Sequence, residues 1–146
     1  MRKLALSMLL LVGCAAPQRP ISFSLAPRAG DPVDAVVREL ALAGLAATSV
    51  DRQTGIVRTA WQDTGYLYGQ LNGVTASIVR RYAVIVAAGA SGVEVTVRAD
   101  TQRCAQGTFN VLTPDGGVCE GMDGLVPRHQ EELNALAARL RADLGS

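Results

Sequence analysis

The chain has 146 residues, 49% of them hydrophobic but only 4% aromatic, and sets 14 Lys and Arg against 13 Asp and Glu. Such a near-neutral balance, with no basic cluster, excludes a nucleic-acid-binding face, which needs concentrated positive charge to neutralise phosphates. With so few rings available, a core has to be built mainly from Val, Leu, Ile and Ala.

The first fourteen residues, MRKLALSMLLLVGC, join a basic start at Arg2 and Lys3 to an apolar run from Leu4 to Val12 broken only by Ser7. That run falls short of the roughly 17–25 residues a membrane-spanning helix needs and reads as the core of a secretory signal. Leu11-Val12-Gly13-Cys14 resembles the lipobox of bacterial lipoproteins, whereas Cys14-Ala15-Ala16 only loosely matches an ordinary cleavage site. The resemblance implies cleavage before Cys14, which would carry the lipid and anchor the mature protein to a membrane. One acyl chain binds marginally and two or three bind stably, so a tethered protein is expected. By resemblance to lipoprotein sorting in Gram-negative bacteria, Ala15 in place of Asp implies the outer membrane, and the anchored protein is expected on its periplasmic face. Residues 14–28, with Pro17, Pro20 and Pro27, are expected to form a tether, leaving 29–146 as one small domain.

Asp31 as cap, Pro32 at the first position and Asp34 in the first turn predict a helix from Pro32 to Ala43 or Ala47, with Val33, Val36, Val37, Leu40 and Ala41 on one side. A turn at Gln53-Thr54-Gly55 leads to a strand carrying Val57, Thr59 and Trp61, and Tyr66 to Thr75 reads as a loop or irregular hairpin tip. ASIVRRYAVIVAA and VEVTVRADTQRC, separated by GASG, are the second and third strands, the third alternating cleanly between apolar and polar. After a long loop with a short strand at Thr108 to Leu112, VPRHQEELNALAARLRADLG gives a second helix whose stripe is Leu133, Leu136, Ala137, Leu140 and Leu144. The expected fold is therefore α+β: a two-layer sandwich of helix, three-stranded antiparallel sheet and helix, with both helices on one face.

With Cys14 committed to lipid, Cys104 and Cys119 in an oxidising envelope read as a disulfide closing a loop worth about 3 kcal/mol. Their spacing is not C-x-x-C and His129 is the chain's one histidine, so a redox or metal pair finds no support. In wording, SVDRQTGIVRTAW resembles, over Asp51 to Val57, the helix-to-strand junction of BamC-like domains, lipoproteins of the outer-membrane β-barrel assembly machinery. In element order the resemblance extends over residues 31–100, and it implies a role as an accessory part of an envelope assembly. Those relatives carry two such domains, and the Cys104/Cys119 pair lies outside their pattern.

No nucleophile motif, H-E-x-x-H or phosphate-cradling loop occurs, and His129, beside Arg128 and Gln130, reads as exposed and idle. Asp115, Glu120 and Asp123 lack the ligand alternation of a calcium loop and read as a solvated turn. Trp61 is expected in the core beneath the helices, and Tyr66, Tyr68 and Asn72 are the candidate partner contacts. The expectation is a non-catalytic module without cofactor or metal, anchored at Cys14 and serving an envelope protein complex. The alternative is a lipoprotein that binds a small ligand, lipid or peptidoglycan between helices and sheet or at the Tyr66 to Asn72 loop.

Overall fold

A computed structural model describes residues 16–27, 29–106, 118–122 and 124–145. In chain order these form β1 (Ala16–Pro17), β2 (Ile21–Leu25), α1 (Pro32–Leu42), β3 (Ala47–Asp51), β4 (Ile56–Thr59) and β5 (Gln62–Leu71). There follow β6 (Val74–Gly89), β7 (Gly92–Ala105), β8 (Cys119–Met122), β9 (Gly124–Leu125) and α2 (Pro127–Leu144).

The β6–β7 hairpin is the spine, paired from Ala76↔Ala105 to Gly89↔Gly92. Shorter strands flank it end to end: β4 and then β5 along β6, β2 and then β8 along β7, with β3 outside β4. The result is a seven-stranded antiparallel sheet, with β1 and β9 forming a separate small pair. This corrects the expected three-stranded sandwich, because four stretches read as tether, helix end or loop are strands.

Each misreading has a local cause. Residues 21–25 alternate Ile, Ser, Phe, Ser, Leu, but the prolines around them mimic a linker; Phe23 and Leu25 are buried. Helix α1 stops at Gly44, whose φ of +76° permits the left-handed cap that any residue with a Cβ resists. There the Gly44 amide donates to Ala41 and the Leu45 amide to Leu40, both at 2.9 Å, a paired closure that sends the chain into β3. In β5 the register slips between Asp63 and Tyr66 and again between Leu67 and Gln70, so bulges erase the period of two. The hairpin then turns on Asn72 and Gly73, with φ of 51° and 77°, the two positive angles of a tight two-residue turn.

The stretch from Asp51 to Val57, expected to lead from helix to strand, is the turn and second strand of the β3–β4 hairpin. Asp51 accepts from the amides of Gln53 at 2.9 Å and Thr54 at 3.2 Å and from the Thr54 hydroxyl at 2.7 Å. These bonds hold its carboxyl below the usual range, the Thr54 hydroxyl most of all.

One core gathers Val33, Val36 and Leu40 of α1, Leu133, Leu136 and Leu140 of α2, and the inward residues of the sheet, among them Phe23, Val57, Val84, Val95 and Val97. On the opposite face Trp61, Val79 and Cys104 form a second small cluster with Cys119 against it. Trp61 is thus buried, as its size demands, but away from the helices.

Candidate functional site

Among the described residues β2 pairs on one side only, with β7, and α2 lies alongside it. Between strand and helix runs a groove of about 650 Å³, within the range of ligand sites. Ile21 and Phe23 supply its strand wall, and Ala137, Ala138 and Ala142 its helix wall. Those alanines create the space: larger side chains on this face of α2 would fill it. Asn134 and Arg141 are the polar residues of the helix wall, and Arg141 makes no ion pair among the described residues. The groove therefore combines apolar walls, a cationic side chain and an unpaired strand edge, whose N–H and C=O groups are a template for another chain.

A second constellation lies where the start of α2 meets β6. The Arg80 side chain, 10% exposed, pairs with the Glu132 carboxylate, which Arg128 also contacts at 3.2 Å. The same guanidinium lies 4.8 Å over the Tyr82 ring, and Tyr66 meets the His129 ring edge-on at 5.7 Å. His129 is only 2% exposed, which overturns its reading as a solvent-facing residue. Burial, then the positive charge of Arg80, holds its imidazole below the ordinary range, and Glu132 only partly opposes this. Burial by itself would raise Glu132, but the hydrogen bond and charge of Arg80, helped by Arg128, bring it below the usual carboxylate range. Burial pushes the Tyr82 phenol up. Among the described residues Arg80 Nε and His129 Nδ1 have no hydrogen-bond partner, so the cluster is a clamp with spare polar atoms.

The sequence-predicted partner contacts do not converge. Tyr66, 40% exposed, leans on α2, Tyr68 is half-buried, and Asn72 is accounted for by the turn it shapes. Trp61 carries the Arg81 guanidinium 4.5 Å over its ring, and Arg81 in turn meets Asp100 at 3.0 Å. Cys104 and Cys119 are joined, S–S 2.06 Å, directly across β7 and β8. Cys14, Asp115, Asp123 and the strand expected at Thr108 to Leu112 lie outside the described residues. Among the described residues no group of three or more side chains is placed to hold a metal ion, and no helix is long and apolar enough to cross a membrane.

The entry of the chain is stitched to the domain by two side-chain amides. Gln18 donates to the Ala99 carbonyl and accepts from the Ala99 amide at 2.9 Å, filling the gap between β2 and β8 along β7. Gln130 does the same for Arg19, accepting from its amide at 3.1 Å and donating to its carbonyl at 3.0 Å. Neither glutamine pairing was legible in the sequence, because each joins residues far apart along the chain.

No protein-family model matches this chain, and no curated protein matches it closely enough to indicate kinship.

Proposed function

We propose that this chain is a membrane-anchored, non-catalytic binding module of the bacterial envelope, and that the groove between β2 and α2 receives a segment of a partner protein. One observation carries the reading: a strand edge that is unpaired among the described residues forms one wall of an apolar groove. A strand edge demands backbone hydrogen bonds, which a polypeptide supplies and an acyl chain does not, and apolar side chains of the added strand would enter the groove. Arg141 favours an acidic side chain or a terminal carboxylate in the occupant. The lipobox supports anchoring at Cys14 in the outer membrane, and the likeness of the β3–β4 turn to BamC-like domains is consistent with service in an assembly or secretion complex.

The test is co-purification from gently solubilised membranes of the native protein and of Ala138→Trp. Ala138 is exposed on α2, so the indole fills the groove without entering the core. The native protein should bring down a defined envelope protein and the variant should lose it; equal recovery by both would sink the assignment. A second reading, an amphiphile with its head on Arg141, rests on the groove's volume and apolar walls. Native mass spectrometry showing a lipid adduct that Ala138→Trp abolishes would favour it.

A further inference from the structure

We infer that the domain rests directly on the lipid surface in a fixed orientation, with the β1–β9 pair and the first turn of α2 facing the headgroups. This rests on the reading of Cys14 as lipidated. From Ala16 onward the chain is already bound: Ala16 and Pro17 pair with Leu125 and Gly124, Gln18 grips Ala99, and Gln130 grips Arg19. β2 follows at once. The segment expected to act as a tether is thus part of the fold, and Ala15 alone separates Cys14 from it.

Length decides the consequence. Two residue steps reach at most about 7 Å, even fully extended. A diacylglyceryl sulfur sits at the base of a headgroup layer that is itself roughly 5–8 Å thick on each side of the hydrocarbon. The reach is spent in crossing that layer, so the folded end arrives at its outer surface with no slack. A freely pivoting domain would need a spacer that the structure does not leave.

The surface at this end suits such a contact. Arg19 and Arg128 are exposed there, and Tyr66 stands edge-on to His129 in the first turn of α2, two residue types that keep a polar tip in water beside an apolar body. Glu131, exposed beside them, keeps the face from being strongly basic. Contact is therefore imposed by the short link and should not depend on anionic lipid.

Trp61, the chain's one tryptophan, reports on this end because it shares a small cavity with Gln18 and Met122. The full-length lipidated protein would be reconstituted into phosphatidylcholine vesicles holding a small fraction of dansyl-labelled lipid, and energy transfer from Trp61 measured. A second protein would carry ten Gly/Ser residues inserted after Ala15, a spacer of roughly 17 Å root-mean-square span that leaves every described residue unchanged. Transfer is expected to fall at least twofold on insertion and to stay constant when anionic lipid replaces part of the phosphatidylcholine. A lipidated protein whose transfer ignores the insertion overturns the inference alone. An intact mass without lipid at Cys14 overturns both the anchor and the orientation built on it.

Discussion

Arg80 on β6 and Glu132 on α2 form an ion pair whose arginine side is almost wholly withdrawn from water, at 10% exposure, while the carboxylate keeps 37%. The pair fastens the first turns of the helix that walls the groove to the central strand of the sheet. Removing the carboxylate strands a guanidinium whose Nε already has no partner among the described residues. We expect Glu132→Ala to cost about 1–3 kcal/mol, the range for leaving a buried polar group without its partner, below that of a fully buried pair because Glu132 is partly exposed. Urea unfolding of the disulfide-intact protein checks this; an unchanged midpoint would show that the clamp adds nothing.

The imidazole beneath that pair gives the fold a pH dependence. Because His129 has a folded-state pKa below its ordinary 6.5, the unfolded chain binds more protons than the folded one between the two values. Stability should therefore be full above about pH 6.5 and decline as pH drops toward the lowered value, where this contribution levels off. Glu132, also lowered, adds a separate loss below about pH 4.5. In His129→Phe the decline that begins near pH 6.5 should vanish while the acid one persists. A profile identical to the native one would contradict the burial of His129.

Gly55 and Gly30 both have positive φ, +68° and +94°, yet only one is crowded. A Cβ on Gly55 would lie 2.0 Å from the carbonyl oxygen of Val86, whose amide donates to the Gly55 carbonyl at 2.9 Å, whereas a Cβ on Gly30 meets nothing within 4 Å among the described residues. Gly30→Ala should cost about 1 kcal/mol, the strain of a left-handed alanine, and Gly55→Ala at least about 2 kcal/mol more. Equal losses in thermal or urea unfolding would mean that the β4–β6 approach is looser than described.

The disulfide joins strands, not merely loop ends, since Cys104 and Cys119 face each other in register and pack with Trp61 and Val79. Replacing both by Ala should destabilise by roughly 2–4 kcal/mol. Trp61 emission should shift to the red as its cover loosens; an unchanged spectrum and midpoint would deny the cluster a structural role.

The two helices and the two long strands are legible in the sequence for physical reasons. Asp31-Pro32 caps α1 with a 2.8 Å bond to the Val33 amide, and the leucines of α2 recur at helical spacing. His129 could have been placed correctly, because with Leu133, Leu136 and Leu140 it shares one stripe; its polar neighbours Arg128 and Gln130 drew attention instead. Arg80 is likewise visible as a charge between Ile78 and Tyr82 on a buried face. The two-residue β1 and the bulged β5 were not legible, since neither carries a sustained period, and the alternation of β2 was hidden by the prolines around it. Nor was the groove, which exists only because tertiary packing sets Phe23 beside the alanines of α2.

Site-specific photocrosslinking in living cells tests the binding groove most directly. A photoreactive residue at Asn134, exposed beside the groove, should capture one defined envelope protein, and the same residue at Thr48, exposed on β3 at the far edge of the sheet, should not. No capture from Asn134, or equal capture from both positions, would contradict the assignment of the β2–α2 groove as the receiving site.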